Sequence, residues 1–235
     1  MSVTTLARVT GVVYLLYFAT AVLGAVIAPG TGPGGPPTDA AANANNILAH
    51  ENAYELGIAV TVVSTALYVA LTALFYVLLR PVNRTLAVMM SFLNLVAMAV
   101  VAFGVVLTLA PITVLGGASY LNVFDTKQLQ AIALLFLNVG AESGRVALGF
   151  AAFFQLVWGY LIFRSTFLPR IIGVLIALAG VGWLTYLLPA QPAFVVTATE
   201  VLGFASEASL MLWLIVMGVN GRRWQELAAA PGRPL

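Results

Sequence analysis

The sequence predicts an all-α, polytopic membrane protein, a six-helix transmembrane bundle with short interfacial helices on its outer side. Three observations carry that expectation. Of the 235 residues, 62% are hydrophobic and 8% are charged, against roughly a quarter charged in an ordinary soluble domain, and the mean hydropathy is +1.03. The apolar residues form long continuous runs rather than the alternating segments of about ten residues that build a barrel. The basic residues, finally, fall before and after those runs in an alternating pattern.

An apolar run of roughly 20 residues, within about 17 to 25, crosses the hydrocarbon core as a helix. Runs of that kind lie at about Val9–Ala28, Gly57–Leu79, Leu86–Ala110, Val146–Phe163, Ile171–Leu188 and Ala193–Val219. No soluble domain fits between them, so residues 1–235 are read as one transmembrane domain. The first run follows Arg8 and ends on small residues such as Ala25 and Ala28, as a secretory signal does. Its apolar stretch exceeds the roughly 7 to 15 residues of a signal core, which favours an uncleaved anchor.

Lys and Arg near span ends accumulate on the cytoplasmic side. Arg8, then Arg80 and Arg84, then Arg164 and Arg170, then Arg222, Arg223 and Arg233 all fall on one face of a six-span chain. The expectation is a bacterial inner (plasma) membrane protein with both termini cytoplasmic. Asp39, Glu51, Glu55 and Asp125 fall on the opposite face, with Lys127 the exception. Spans two and four end alike, in Tyr76-Val77-Leu78-Leu79-Arg80 and Tyr160-Leu161-Ile162-Phe163-Arg164, which is also what an interfacial Tyr and a cytoplasmic Arg produce without a repeat.

Between spans one and two, the Pro- and Gly-rich residues 29–37 cannot continue a helix and predict an exposed turn. Thr38 or Asp39 then offers an N-cap for an Ala/Asn-rich helix running toward His50. A second outer helix, Gln128–Asn138, is expected at the interface before the fourth span.

Composition also narrows the chemistry. A net charge of +2 from few ionisable groups gives no basic surface for nucleic acid. There is no cysteine, hence no disulfide or thiolate, and His50 is the only histidine, so neither a zinc site nor any cofactor is expected. Ser206 and Ser209 have no histidine near them in sequence. The partners expected are membrane lipid, a small amphipathic ligand and a second copy of the chain. Gly173, Ala177, Gly180 and Gly182 suit close helix contacts, either within the bundle or between protomers of a homo-oligomer.

Ionisable side chains within spans cost about 2.5 to 3.5 kcal/mol near the helix centre, so each needs a reason. Glu207 sits mid-way along the sixth span and Glu200 two turns earlier on nearly the same face, with Gly203 between them. Asn138, Glu142, Arg145 and Gly149 form a stripe at spacings of four, three and four leading into the fourth span. The two stripes are expected to face each other, with Arg145 bridging Glu142 and Glu200 near the outer boundary. The deep Glu207 is expected to seek a polar partner such as Asn94 or Gln155. Asn94, Asn138, Glu142, Arg145, Gln155, Glu200 and Glu207 are therefore the candidate ligand-binding residues, and none is assigned a catalytic or metal role. Most aromatics read as interfacial anchors or packing, with Tyr17 and Tyr68 as candidate cavity-lining residues.

Several strings resemble a bacterial membrane family known only as a domain of unknown function, numbered four-three-eight-six. They are Leu79-Arg80-Pro81-Val82-Asn83, the segment from Leu129 through Asn138, Gly159-Tyr160-Leu161-Ile162-Phe163-Arg164-Ser165 continuing through Leu168-Pro169-Arg170 to Gly173-Val174-Leu175, and Glu207-Ala208-Ser209-Leu210 with Trp213 to Asn220. The resemblance implies a six-helix membrane protein and supplies no activity, substrate or site residue. The family pattern has His and Tyr shortly after the position of Asn138. This chain has Val139, Gly140 and Ala141 there, so no role for such a histidine carries over.

The function expected is binding or transport of a small amphipathic molecule or lipid in an outward-facing pocket between helices four and six. A non-catalytic accessory or assembly subunit is the alternative, and an intramembrane carboxylate enzyme comes third.

Overall fold

The computed structural model describes residues 2–27, 38–188 and 190–229; the expected turn at 29–37 and Arg233 lie outside them. The described residues form eight α-helices and no strand: α1 (Val3–Ile27), α2 (Ala40–Ala49), α3 (Glu51–Leu79), α4 (Arg84–Leu115), α5 (Thr126–Arg164), α6 (Arg170–Leu184), α7 (Ala193–Val216) and α8 (Gly221–Ala229). Among them α1, α3, α4, α5, α7 and α6 with its 3₁₀ extension to Leu187 are the six long and apolar enough to cross a membrane. Large apolar side chains such as Val26 (76% exposed) and Phe194 (75%) stand on their outer surfaces. Hydrocarbon solvates such a surface and water does not. The chain is a multi-pass membrane protein.

The described residues fall into two compact units, and α1, α3, α4 and α5 each contribute a part to both. The first unit takes Met1–Leu15, Tyr68–Ala97 and Leu148–Leu235. Its helices approach on glycine. A Cβ at Gly159 would lie 2.6 Å from Gly173 O, and one at Gly173 would lie 2.6 Å from Gly159 O and from Phe163 N, so α5 and α6 meet backbone to backbone. Gly182 makes room for the side chain of Thr199, Gly203 for the ring of Trp183, and Gly11 for the side chain and backbone of Ile215. In lipid there is no hydrophobic drive between helices, and this close van der Waals fit takes its place. Gly173, Ala177, Gly180 and Gly182 thus make contacts inside the chain.

The second unit takes Leu16–Leu67 and Met98–Ala147. Asp39 caps α2, its carboxylate accepting from Ala42 N at 2.9 Å, and His50 ends that helix before α3 begins at Glu51. Ile47, Tyr54, Ile58 and Leu137 form its core. Tyr54 donates its hydroxyl to Thr108 O at 2.7 Å, three residues before Pro111 of α4.

Three boundaries differ from the sequence expectation. Gln128–Asn138 is not a separate interfacial helix but the first part of the 39-residue α5. Nothing between Asn138 and Val146 breaks it, because Gly140 and Gly144 lower helix propensity without forbidding the helix. The third span passes Pro111 to Leu115 and stops where Gly117 takes φ +73°. The sixth stops at Val216 because Gly218 takes φ +67° and its N–H returns to Trp213 O, a left-handed C-terminal turn that glycine accepts readily. The chain then starts α8, an element that the sequence expectation does not include.

Gly173→Ala should destabilise the fold by about 1 to 3 kcal/mol, because the new methyl meets rigid backbone. Gly144→Ala, where an added Cβ meets open space, should be neutral or stabilising by roughly 0.5 to 1 kcal/mol. Thermal unfolding of both variants, followed by circular dichroism, checks the contrast.

Candidate functional site

Glu207 lies two and a half turns before the end of α7 at Val216, roughly 14 Å along the axis at about 1.5 Å per residue. That is near the middle of a hydrocarbon core about 30 Å thick. Gln155 stands at the same remove from the end of α5 at Arg164, and Tyr14 lies roughly 16 Å from the start of α1. Three helices thus carry polar side chains to one depth in the first unit, and there the side chains meet. Tyr14 Oη donates to Glu207 Oε2 at 2.7 Å, and Gln155 Nε2 donates to Glu207 Oε1 at 2.8 Å. Tyr14 is fully buried and Gln155 nearly so.

An aromatic wall surrounds the carboxylate's donors. Trp158 follows Gln155 by three residues and so shares its face of α5. Its ring lies 4.8 Å from Phe75, 5.1 Å from Phe154 and 6.4 Å from Tyr14. Two polar atoms in this wall, Trp158 Nε1 and Gln155 Oε1, are buried and have no hydrogen-bond partner among the described residues. One is a donor and the other an acceptor, a turn apart on the same helix.

Asn94 does not reach Glu207. Its Nδ2 donates to Thr72 Oγ1, whose own hydroxyl donates to Tyr68 O at 2.9 Å, while Asn94 Oδ1 is a further buried atom without a partner. Tyr68 is buried on α3.

The remaining candidates are arranged locally. Arg145 Nη1 pairs with Glu142 at 2.9 Å along α5 in the second unit, the two side chains being 45% and 60% exposed. Asn138 belongs to the same unit, with its Oδ1 buried and unpartnered. Glu200 belongs to the first unit, where it is exposed and accepts from Tyr186 Oη at 3.2 Å. The Glu142–Arg145 pair has the geometry that its i,i+3 spacing implies. Of the seven candidates, the structure brings two pairs into direct contact: Arg145 with Glu142 along one helix, and Gln155 with Glu207 between two helices.

The sequence reading missed Tyr14, which it had assigned to anchoring or packing. Depth was the available signal: Tyr14 falls near the middle of α1, where a phenol has no water to bond. Ser206 and Ser209 donate to Gly203 O and Ala205 O of their own helix, and His50 Nδ1 lies 3.0 Å from Asn46 O.

Residues 9–218 match the family described as Domain of unknown function (DUF4386). The chain belongs to this family. No curated protein and no solved structure matches it. The DUF4386 region contains Tyr14, Gln155, Trp158 and Glu207, whereas α8 lies beyond its limit at 218.

Gln155→Leu strips Glu207 of one donor and should cost about 0.6 kcal/mol, rising to roughly 1.7 kcal/mol if nothing replaces the bond. Arg145→Ala breaks a half-exposed pair on a single helix and should cost at most about 0.5 kcal/mol. Reversible unfolding of both variants in the same detergent tests this ranking.

Proposed function

We propose that this protein resides in the inner membrane of a bacterium with both termini cytoplasmic and binds or carries a small amphipathic molecule or lipid between its fourth and sixth spans. The polar group of that molecule is received at Glu207. One observation carries the reading: a carboxylate at mid-span depth, bonded from two other spans, stands beside a buried donor and a buried acceptor that lack partners. Ionisable groups at that depth mark ligand and ion sites more often than they serve packing. A molecule with a hydroxyl or amine for Gln155 Oε1 and an acceptor for Trp158 Nε1–H suits the two open atoms, and Phe75 and Phe154 offer its apolar part a wall. The cytoplasmic orientation is supported by Arg80, Arg84, Arg164 and Arg170 at the corresponding ends of α3, α4, α5 and α6. Among the candidate residues, this reading rests on Glu207 and Gln155 rather than on Arg145 and Glu200.

A second reading is favoured by a different observation. Both Glu207 oxygens already accept a hydrogen bond, as they would in an accessory or assembly subunit whose cluster ties spans one, four and six. An intramembrane carboxylate enzyme stands third, because Glu200 is exposed and bonded to Tyr186, leaving Glu207 without a second acid at its side.

Mass spectrometry of molecules extracted with the purified protein separates these readings. The wild type should carry an amphipathic compound near one per chain, and Glu207→Gln should lower its occupancy roughly tenfold, a loss of about 1.4 kcal/mol, with melting shifted by only a few degrees. A wild type with no such compound, together with a Glu207→Gln variant that only melts earlier, would leave the accessory reading standing.

A further inference from the structure

A second candidate site lies far from Glu207 along the helix axis, at the start of α1. A shallow, open cleft of about 450 Å³ runs along one side of this helix, with Ser2, Thr4, Thr5 and Arg8 toward one end and Val9, Val12 and Val13 toward the other. The lining spans roughly 16 Å of helix and changes from polar to apolar between Arg8 and Val9, in the order in which a bilayer passes from headgroup to acyl chain. Val9 and Val12 are exposed, as is Arg8. Arg8 takes part in neither ion pair found among the described residues. Ser2 and Thr5 bond each other at 2.8 Å, which uses one of their two hydroxyl protons and leaves the other to donate outward.

The surroundings of the cleft are cationic. Arg222 and Arg223 open α8, and three contacts fix where α8 sits. Its first residue, Gly221, would place a Cβ 3.3 Å from Val3 of α1. Trp224 Nε1 donates to Leu78 O at the end of α3 (2.8 Å), and Arg223 Nη1 donates to Thr166 O after α5 (3.0 Å). Those contacts gather Arg8, Arg80, Arg164 and Arg223 at one end of the first unit, where Glu226 is the acid and is itself paired with Arg222 at 3.1 Å.

We propose that this cleft binds an anionic glycerophospholipid of the membrane. Its phosphate is held by Arg8 and the free hydroxyl proton of the Ser2–Thr5 pair, and an acyl chain lies along Val9, Val12 and Val13. A zwitterionic lipid brings a cationic headgroup to the same arginines and is disfavoured. The site is independent of Glu207, so the two proposals stand or fall separately.

Native mass spectrometry of the full chain with dioleoyl-phosphatidylglycerol and dioleoyl-phosphatidylcholine tests it. The wild type should retain one phosphatidylglycerol in preference to phosphatidylcholine, and Arg8→Gln should reduce that retention about tenfold and remove the preference. Thr5→Glu keeps Arg8 but supplies it with an internal carboxylate three residues away, and should weaken retention to a similar degree. Arg222→Gln should retain the lipid as the wild type does. The proposal is overturned if Arg8→Gln or Thr5→Glu retains phosphatidylglycerol unchanged. It also fails if Arg222→Gln loses as much, which means diffuse surface charge, or if millimolar inorganic phosphate displaces the lipid, which means a phosphate site.

Discussion

A carboxylate near the middle of a membrane span has no water to bond and gains nothing from hydrocarbon. Glu207 is in that position, and the first unit is organised around it. Tyr14 and Gln155 reach it from α1 and α5 at one depth, and this requires those helices to hold a fixed height and rotation against α7. A sliding helix would take a donor out of reach and leave the acid with an unmade bond. Polar satisfaction therefore fixes the register of three spans, a task that apolar side chains in lipid perform poorly because tails and side chains are equally apolar.

That register is workable because glycine lets the backbones close. α5 and α6 touch through Gly159 and Gly173, and α6 and α7 touch through Gly182 and Gly203. At the arginine-rich end, Gly218 turns the chain out of α7 so that α8 can lie back on the bundle, where Trp224 satisfies Leu78 O, one of the carbonyls that the end of α3 leaves without a helical partner. The same handful of glycines thus connects the polar centre, the helix packing and the cationic end of the unit.

Much of this was legible in the sequence. Six spans follow from run length, and depth gives Glu207 two candidate partners, Asn94 and Gln155, of which Gln155 makes the bond while Asn94 turns to Thr72. A cap at Thr38 or Asp39 followed from residue type at a helix start, and Asp39 is the one that makes it. What failed did so for physical reasons. Hydropathy does not mark where a helix ends when the next residues are also apolar, so α4 was cut at Pro111 and α7 was run on through Gly218, whose left-handed backbone is the real stop. Span counting treats a helix as no longer than the bilayer, so the polar start of α5 was assigned to a separate element. Tyr14 was hidden because an aromatic residue in a span reads equally as packing, and the position of its partner, 193 residues away, is tertiary information.

The account depends on Glu207 turning inward to meet Tyr14. A double-mutant cycle across Tyr14→Phe and Glu207→Gln, measured by reversible unfolding in bilayer discs, reads that contact directly. A coupling energy of about 0.6 kcal/mol, up to roughly 1.7 kcal/mol, is the result expected for an intramembrane hydrogen bond between them. Strict additivity of the two substitutions would contradict it, because side chains that do not touch have no energy to share.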